Sequence, residues 1–314
     1  MTKRIHVVAA ILRDPQGRVL LAQRGAGKHL EGLWEFPGGK VEADETPLAA
    51  LRRELHEEIG VDVDEAEPLI RVPWTYPEKH VDLDVYDALR WHGVPQGREG
   101  QALAWCEPAR MHAYAMPPAD RPIVAALRLA RTMLVTPAPT ADLDAWQASI
   151  ERALARGIGV VQLRVPGASE PTLAALGARI APEIARREAT LVVNGTAALA
   201  RALGAGLHWP ASIARAHAAR PVPADTLFGV SVHDAAELAH AQALAADYVV
   251  IGPVRETATH PGGAGLGWER FEALARATPL PSFAIGGLAP SDLATACVHG
   301  AFGVAGIRAF ATAA

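Results

Sequence analysis

The residues from Gly39 to Val61 read GKVEADETPLAALRRELHEEIGV and carry the strongest local pattern in the chain. Thr46 followed by Pro47 is typical of a helix start, because proline is tolerated in the first helical turn. Apolar residues then recur at steps of three and four positions, which predicts one buried helix face. They are Leu48, Leu51, Leu55 and Ile59. Gly60 stands where a C-terminal cap belongs, so the helix is predicted to end there.

Another face of this predicted helix is acidic. Glu54, Glu57 and Glu58 are neighbours on it, and like charges so placed destabilise a helix by about 0.2–0.5 kcal/mol per pair. Hard divalent cations offset such repulsion because they prefer carboxylate oxygens as ligands. The alternative is a solvated acidic face that binds nothing. Because Gly38 and Gly39 precede the helix at a defined spacing, we favour cation binding.

The full spacing is G-x5-E-x7-R-E-U-x-E-E-x-G-U, where U is a bulky apolar residue. It resembles the Nudix box, the signature of hydrolases that cleave a diphosphate linked to another group. Further matches, in chain order, resemble the MutT type, whose members hydrolyse oxidised purine nucleoside triphosphates. They are Gln23–Arg24, GLWEFPGGK at Gly32–Lys40, YPEKHVDLDVY from Tyr76, EGQ at Glu99–Gln101 and PPAD at Pro117–Asp120. The resemblance implies an α+β Nudix fold, a mixed sheet between helices.

Hydrolysis of a diphosphate requires neutralised phosphate charge and an activated water, and bound divalent ions supply both. The resemblance implies that Glu54, Glu57 and Glu58 hold Mg²⁺ or Mn²⁺. The backbone carbonyl of Gly38 and the carboxylate of Glu99 are expected to complete this metal site. Glu54 is also a candidate for the group that orients or deprotonates the water. Which carboxylate acts as the base differs among Nudix enzymes and stays open.

Three cationic side chains belong to the same predicted site. Arg53 is placed among the catalytic residues as a brace for a glutamate of the box, with Glu45 as the expected partner. Arg24 and Lys40 are candidate phosphate contacts, since fixed cations stabilise the charge of a polyphosphate. The alternative for both Arg24 and Lys40 is an ordinary surface ion pair.

Recognition of the base is predicted from two positions. Phe36 is a candidate apolar face for the base, and core packing is its alternative. Asp120 stands where MutT-type enzymes usually have asparagine, whose amide both donates and accepts hydrogen bonds. An ionised aspartate only accepts, whereas one protonated because of burial would imitate the amide. The substitution leaves selectivity for 8-oxoguanine open without affecting the diphosphatase chemistry.

Composition limits the remaining possibilities. The chain has 314 residues, half of them hydrophobic and a fifth charged, which suits two globular domains. A net charge of −4 gives no electrostatic reason to expect duplex nucleic acid or a membrane as partner. The apolar run Ile5–Leu12 is too short to span a membrane and reads as a strand. Cys106 and Cys297 lack metal-ligand spacing, which favours a reducing cytoplasm. The oligomeric state is not predicted.

The two halves of the chain differ in the order of their predicted strands and helices. Residues 1–130 read as strands around one helix, with strands predicted at 4–12, 19–24, 69–76, 80–91 and 103–106 and a closing helix at 121–131. Residues 131–314 alternate strands with helices rich in alanine and leucine. The predicted strands are 132–136, 159–164, 190–194, 206–208, 227–231, 247–252, 282–285 and 302–305. Eight strands alternating with helices predict a C-terminal (β/α)8 TIM barrel.

Six segments of this second half resemble thiamine-phosphate synthase and its relative, the thiazole tautomerase. They are MLVTP at Met133–Pro137, VVQLR at Val160–Arg164, GVSVHDAAEL at Gly229–Leu238, DYVVIGPV at Asp247–Val254, FAIGGL at Phe283–Leu288 and GVAGI at Gly303–Ile307. The synthase holds Mg²⁺ with carboxylates after its third and fourth strands, and it has a lysine shortly after QLR. Those stretches read Asn194–Thr196, His208–Ser212 and Val165–Gly167 here, without these groups. We therefore expect synthase activity to be lost.

A phosphate cradle is the feature of the barrel that we expect to persist. Gly286 and Gly287 after strand seven and Gly306 after strand eight lie where such barrels bind phosphate through backbone N–H groups. The loop Pro261–Gly263 is predicted to close over it. The alternative is that these glycines only allow tight turns. His233 matches the proton-transfer histidine of the tautomerase, although a structural hydrogen bond is its alternative.

These observations support three hypotheses. The first is a cytoplasmic, metal-dependent Nudix diphosphatase that hydrolyses oxidised purine nucleoside triphosphates such as 8-oxo-dGTP to the monophosphate and pyrophosphate, with a degenerate barrel. The second directs the Nudix half to thiamine-related diphosphates. The third makes the barrel a thiazole phosphate tautomerase or a ligand-sensing module. The expected partners are a nucleotide or other diphosphate substrate and a phosphate ligand in the barrel.

Overall fold

The computed structural model describes residues 3–256 and 265–312 of the chain. Packing divides the chain into two compact units, Met1–Leu127 and Arg128–Ala314. The division lies between residues 127 and 128. The sequence analysis predicts it between residues 130 and 131. The predicted phosphate-closing loop, Pro261–Gly263, lies outside the described residues. Within the described residues, no helix is both long and apolar enough to cross a membrane.

The N-terminal unit is an α+β fold with two small sheets. Its elements are β1 (Lys3–Ile11), β2 (Val19–Gln23), β3 (Trp34–Glu35), β4 (Gly38–Lys40), α1 (Pro47–Ile59), β5 (Asp62–Tyr76), β6 (Lys79–His92), β7 (Leu103–Cys106) and α2 (Arg121–Leu127). One sheet has the order β4-β1-β6-β5, with β1 and β6 parallel and its other pairs antiparallel. The other has the antiparallel order β3-β2-β7. The predicted mixed sheet of a Nudix fold is confirmed.

Helix α1 forms where the sequence predicts it. Thr46 caps its N-terminus by accepting a hydrogen bond from the Ala49 N–H at 3.2 Å. Gly60 ends it with φ of 70°, a left-handed conformation that favours glycine. Leu55 and Ile59 on its apolar face are completely buried, and each such side chain stabilises the fold by about 1.5–3 kcal/mol. Burial of this face directs the glutamates toward the other side.

Strand β5 is longer than the sequence predicts. It begins at Asp62 and not at residue 69, and it pairs with β6 through several register shifts between Val63 and Ile70. Its first residues are strongly acidic, which hid the strand from propensity arguments. Because β5 lies at the edge of its sheet, it tolerates charged residues and proline that an inner strand would not. Helix α2 also ends at Leu127 and not at residue 131.

The C-terminal unit is a closed barrel of eight parallel strands. Its strands are β8 (Thr132–Val135), β9 (Val160–Leu163), β10 (Thr190–Asn194), β11 (Gly206–Trp209), β12 (Phe228–Val232), β13 (Tyr248–Ile251), β14 (Ser282–Ile285) and β15 (Gly303–Gly306). Each strand pairs with the next in the chain, and β15 closes the barrel onto β8. The predicted (β/α)8 barrel is therefore confirmed.

Helices follow the barrel strands in the predicted alternation. They are α3 (Leu143–Ala155), α4 (Glu170–Arg186), α5 (Ala197–Ala202), α6 (Ala211–Ala214), α7 (Ala235–Ala243), α8 (Gly267–Arg276), α9 (Leu293–Val298) and α10 (Arg308–Ala311). Helices α5, α6 and α10 are short, with six, four and four residues. Because helices cover the outside and side chains fill the inside, the barrel strands are almost completely buried.

Candidate active site

The carboxylate of Glu54 lies directly against the backbone of β4. A Cβ atom at Gly39 would overlap the Glu54 carboxylate, and one at Gly38 would overlap the carbonyl oxygen of Val8 in β1. Strand β4 therefore fits between β1 and the acidic face of α1 only because both positions lack a side chain. This packing brings the Gly38–Gly39 backbone next to Glu54, as a metal site shared between them requires.

Arg53 braces the glutamates of the helix. Its Nη2 donates to Glu45 Oε1 at 2.7 Å and to the carbonyl oxygen of Lys40 at 3.1 Å. Its Nη1 donates to Glu54 Oε1 at 3.0 Å and to Glu57 Oε2 at 3.3 Å. The Arg53 hydrogen bond holds the pKa of Glu45 below its ordinary value. The structure thus shows the predicted Arg53–Glu45 contact and orients two of the predicted metal ligands through the same guanidinium.

The turn after β6 is attached to the C-terminal end of α1. The carbonyl oxygen of Glu58 accepts hydrogen bonds from the Arg98 N–H at 2.9 Å and from Gln101 Nε2 at 3.0 Å. Arg98 Nη1 donates to the carbonyl of His56 at 2.7 Å. The Oε1 of Gln101 in turn accepts the N–H of Glu99 at 2.8 Å. These bonds satisfy the exposed carbonyls of the helix end and hold Glu99 beside Glu58.

Glu58 is the most perturbed carboxylate of the acidic face. Burial raises the pKa of Glu58 to about 7; the ammonium of Lys28 opposes that shift, while the charges of Glu99, Glu54 and Glu35 add to it. The Lys28 Nζ lies 2.7 Å from Glu99 Oε2 and 3.8 Å from Glu58 Oε1. The glutamates from α1 and from the turn after β6 therefore form one electrostatically coupled group.

This group of carboxylates fits a hard divalent cation. All of its carboxylate side chains would bind a metal ion through oxygen atoms, the ligands that Mg²⁺ and Mn²⁺ prefer. Their closely spaced negative charges also favour a bound cation. As they stand, no three His, Cys, Asp or Glu side chains in residues 3–256 and 265–312 are gathered closely enough to hold an ion. Glu57 and Glu99 are the outer members, with side chains 60% and 51% exposed, which leaves them room to rotate.

Asp120 lies among ionisable side chains of its own domain and is almost completely buried. It ends a 3₁₀ turn at Pro118–Asp120 and is 6% exposed. Burial raises the pKa of Asp120 well above its ordinary value; the charge of Glu35 adds to this and that of Arg24 opposes it. Burial also raises the pKa of Glu35 and of Tyr76. This environment favours the protonated form of Asp120, the alternative in which its carboxyl both donates and accepts.

The remaining predicted substrate contacts of this domain have different environments. Arg24 forms an ion pair with Glu35, and its Nε donates to the His29 carbonyl at 2.6 Å. The structure therefore shows an ion pair at Arg24, although both side chains are mostly buried and not at the surface. Phe36 is 3% exposed and packs in the hydrophobic core, which is the core alternative. The Lys40 side chain is exposed and forms no ion pair with any residue that the structure describes.

Sequence reasoning missed several residues of this site. Lys28 precedes the GLWEFPGGK match and Glu35 lies within it, but no spacing rule shows which polar residue of a loop points inward. Gln101 was part of the EGQ match, yet its role in holding Glu99 depends on a contact with the end of α1. Arg98 acts at the same helix end. The sequence shows that a glycine ends α1 at position 60 and that a polar turn follows much later. Nothing in the sequence indicates that the helix end and the turn are in contact.

At the mouth of the barrel, His233 belongs to a hydrogen-bonded chain. It follows β12, and its N–H donates to Glu237 Oε2 at 2.8 Å, with its Nδ1 at 2.8 Å from the same oxygen. The other oxygen of Glu237 accepts a hydrogen bond from Arg215 Nη1 at 2.9 Å. The His233 side chain is 52% exposed. The carboxylate thereby orients the imidazole, which both the catalytic and the structural alternatives allow.

The predicted phosphate cradle has a tightly packed backbone. A Cβ atom at Gly286 would lie 2.6 Å from the Cα of Pro253, and one at Gly306 would lie 2.5 Å from the Phe310 ring. Gly287 has φ of 64°, so these positions need glycine for packing and conformation whether or not they bind phosphate. The Gly287 N–H donates to no residue in the described part of the chain, and this leaves it available to an anion.

Polar groups inside the barrel mostly satisfy one another. His208 is 1% exposed and hydrogen-bonds to Tyr248 Oη at 3.2 Å and to Ser231 Oγ at 2.9 Å. Burial lowers the pKa of His208 to about 3, so the ring is neutral. A carboxylate missed by the sequence analysis also reaches the end of β10, where Thr196 Oγ1 donates to Glu170 Oε2 at 3.0 Å.

Comparisons with known proteins divide the chain in the same way. The family model described as a NUDIX domain matches residues 8–126. The family model described as thiamine monophosphate synthase matches residues 132–310.

Individual relatives match one half each. The 8-oxo-dGTP diphosphatase of Escherichia coli (strain K12) is 33% identical over 126 residues, which cover 40% of this chain and 98% of that protein. The CTP pyrophosphohydrolase of the same organism is 42% identical over 132 residues, covering 41% and 97%. The thiamine-phosphate synthase of Laribacter hongkongensis (strain HLHK9) is 34% identical over 189 residues, covering 58% and 87%.

Proposed function

The chain belongs to the Nudix hydrolases through its N-terminal domain and to the thiamine monophosphate synthase family through its C-terminal domain, and we propose that the Nudix domain is a divalent-metal-dependent nucleoside triphosphate diphosphatase. It would release pyrophosphate and a nucleoside monophosphate, with oxidised purine nucleotides such as 8-oxo-dGTP as substrates. Such an activity would remove oxidised nucleotides from the precursors of DNA. The 8-oxo-dGTP diphosphatase relative supports this choice of substrate.

The coupled carboxylates around Glu58 carry the proposal. Glu54, Glu57, Glu58, Glu99 and the carbonyl of Gly38 would hold Mg²⁺, or Mn²⁺, which when bound supplies charge neutralisation and an acidified water. Burial and neighbouring carboxylates raise the pKa of Glu58 to about 7, which means that they destabilise its ionised form. A positively charged ligand would offset this destabilisation.

The chain's own residues would then prepare the reaction. Arg53 donates to Glu54 and Glu57 through one guanidinium, which orients Glu54, while the more exposed Glu57 can still turn toward a cation. Glu54 is the candidate for accepting a proton from the attacking water, because its carboxylate is held against the backbone of β4. Proton transfer of this kind contributes about 10²–10⁴-fold to a rate.

The base would be read by Asp120 in its protonated form. A neutral carboxyl offers one O–H donor and one acceptor oxygen, the same pair that an asparagine amide presents. An aspartate that stays protonated through burial would therefore recognise the same edge of an oxidised purine. The buried position of Asp120 next to the carboxylate of Glu35 supports this role.

Pyrophosphate release with Mg²⁺ tests the proposal. The panel contains 8-oxo-dGTP, dGTP, dATP, CTP, thiamine diphosphate and hydroxymethylpyrimidine diphosphate, with pyrophosphate and inorganic phosphate scored separately. We expect pyrophosphate as product and preference for 8-oxo-dGTP. Preference for CTP, favoured by the CTP pyrophosphohydrolase relative, would keep the chemistry and change the base. Release of inorganic phosphate from a thiamine-related diphosphate would overturn the nucleotide assignment.

The barrel supports a second candidate function, isomerisation of a thiazole phosphate by proton transfer. The observation in its favour is the His233–Glu237–Arg215 chain, because a carboxylate at Nδ1 fixes the imidazole and leaves the other nitrogen toward solvent. Gly286, Gly287 and Gly306 would hold the phosphate.

Tautomerisation of a thiazole phosphate by the full chain tests this second function. We expect His233→Ala to abolish it and Glu237→Gln to weaken it. Binding of the phosphate ligand without turnover in the unmodified protein would support a sensing module in place of the isomerase.

A further inference from the structure

Lys28 lies at the carboxylate group although nothing in the Nudix box assigns it a place there. Its ammonium donates to Glu99 Oε2 at 2.7 Å and lies 3.8 Å from Glu58 Oε1. The Lys28 and Glu99 side chains are about half exposed, whereas Glu58 is 18% exposed. The ammonium therefore joins an inner carboxylate to an outer one, and both are proposed metal ligands.

The loop that carries Lys28 is held closed by hydrogen bonds within it. The N–H of Arg24 donates to the carbonyl of Leu33 at 2.9 Å, and the N–H of Gly32 donates back to Arg24 at 3.0 Å. At the tip, the Gly27 N–H donates to Glu31 Oε2 at 2.8 Å. These bonds fix the loop backbone and so keep Lys28 within reach of the glutamates, while its flexible side chain stays free to change partner.

The ammonium and a divalent cation would compete for the same oxygens. A carboxylate oxygen that accepts from Lys28 has less negative charge and fewer free lone pairs for a metal. The ammonium is a point charge on a flexible stem, so it can leave Glu99 and stay nearby. Its next partner would be the phosphates of the nucleotide, which carry the highest negative charge in the site.

We infer that Lys28 is an exchangeable counter-ion: it pairs Glu58 with Glu99 until a divalent cation displaces it, and it then binds the polyphosphate of the metal-bound nucleotide. The inference rests on the proposed function, since it assumes that these glutamates hold the metal. It adds a positioning residue that makes metal binding and substrate binding depend on each other. The exchange replaces the single positive charge of the ammonium on the carboxylates by the two charges of the metal ion, and it delivers the ammonium charge to the substrate phosphates.

The first test measures metal binding without substrate. Mn²⁺ is titrated into the full chain and followed by electron paramagnetic resonance of the free ion, for the unmodified protein, Lys28→Ala and Lys28→Arg. Removing the competing charge should tighten Mn²⁺ binding by about threefold or more. Lys28→Arg, which keeps the charge, should bind Mn²⁺ like the unmodified protein. Arg110→Ala controls for net charge, because Arg110 is exposed and forms no ion pair with the glutamates.

The second test separates binding from turnover with the preferred nucleotide. Lys28→Ala should raise KM by about tenfold with a smaller change in kcat, because a lost phosphate contact weakens ground-state and transition-state binding alike. Lys28→Arg should have a KM close to that of the unmodified protein. A merely structural ion pair would not produce tighter Mn²⁺ binding and weaker nucleotide binding in the same variant.

The outcomes separate this inference from the proposed function. Unchanged Mn²⁺ affinity in Lys28→Ala, with normal pyrophosphate release by the unmodified protein, overturns the role of Lys28 alone. Absence of Mn²⁺ binding by the unmodified protein overturns both. Tighter Mn²⁺ binding in Lys28→Ala, without pyrophosphate release from any nucleotide, supports the counter-ion and rejects the proposed reaction.

Discussion

The Nudix domain and the barrel differ in the direction in which their surroundings shift the pKa values of carboxyl groups. In the Nudix domain, burial raises the pKa of Glu35, Glu58 and Asp120 despite the cations near them. In the barrel, Glu272 and Asp292 have pKa values below ordinary. Hydrogen bonds from His299 and Arg276 lower that of Glu272, whereas for Asp292 burial raises the pKa but hydrogen bonds from the Ala289 N–H and from Arg255 outweigh it. Perturbed carboxylates are concentrated where a protein prepares a reaction or a charged ligand. Among the described residues, the carboxyl groups whose pKa burial raises above its ordinary value lie in the Nudix domain.

The same contrast explains why the barrel is the weaker candidate for catalysis. Its deeply buried histidine, His208, is neutral and hydrogen-bonded at both ring nitrogens. His233 is exposed, but Glu237 occupies its Nδ1, so the other ring nitrogen is the one left for proton transfer. Satisfied groups stabilise a fold but have little free energy to release when a substrate arrives. The predictions below test whether this difference between the domains is functional.

Glu54→Gln should have the largest effect, because it removes a proposed ligand and the proposed base together. Pyrophosphate release should fall by about 10²–10⁴-fold, with circular dichroism unchanged. Glu183→Gln is the matched control in the barrel, where Glu183 is a helix glutamate paired with Arg186 and Arg187. Equal loss of activity in both variants would remove the distinction between the domains.

Gly39→Ala should follow in size, because the new methyl group would occupy the space of the Glu54 carboxylate. Displacing a catalytic group by about 1 Å costs about 10²-fold in rate. Gly25→Ala is the control, since a Cβ atom there meets no atom within 4 Å. Full activity in Gly39→Ala would show that the close approach of Glu54 to β4 is not needed for turnover.

Asp120→Asn should keep the preference for 8-oxo-dGTP over dGTP, because an amide offers the same donor and acceptor as a protonated carboxyl, whereas Asp120→Ala should lower that preference by about tenfold or more. Asp120→Asn should also change the dependence of stability on pH. Because the pKa of Asp120 is raised in the folded state, unfolded chains lose this proton first. The free energy of unfolding therefore falls as pH rises above 3.8 until the folded pKa is passed.

The asparagine variant cannot lose that proton, so it should gain stability relative to the unmodified protein as pH rises. Asp82→Asn is the opposite control. A hydrogen bond from Arg4 holds the pKa of Asp82 below its ordinary value, so its contribution to stability is present above 3.8 and lost as pH falls. Urea denaturation from about pH 2 to about pH 8 measures both, with the Asp82 effect at the acidic end and the Asp120 effect above 3.8. Parallel curves for Asp120→Asn and the unmodified protein would show that Asp120 is ionised.

Gln101→Ala should have the smallest effect. It removes the hydrogen bonds that hold Glu99 to the end of α1, worth about 1 kcal/mol, or about fivefold in rate. Mn²⁺ affinity and pyrophosphate release measure it. Gln96→Ala is the control, because Gln96 contacts the helix through its backbone N–H and not through its side chain. Identical behaviour of the two variants would mean that Glu99 needs no such support.

Local patterns predicted much of the fold. The three- and four-residue spacing of Leu51, Leu55 and Ile59 predicted α1 with its caps, and the strand–helix alternation predicted the barrel. The failures have physical causes. Strand β5 escaped detection because its acidic first residues pair with β6, a long-range contact that local propensity does not contain. Short strands such as β3 exist only because a partner strand is already there.

The spacing of residues along the chain determined by itself which glutamates share a helix face, because 3.6 residues per turn sets the direction of each side chain. It also determined the number of barrel strands. Only the tertiary structure decided that Lys28 reaches Glu58 and Glu99, that Arg24 pairs with Glu35 and that Asp120 is buried. Proximity between residues far apart in the chain, and the pKa shifts that burial produces, depend on how the elements pack together.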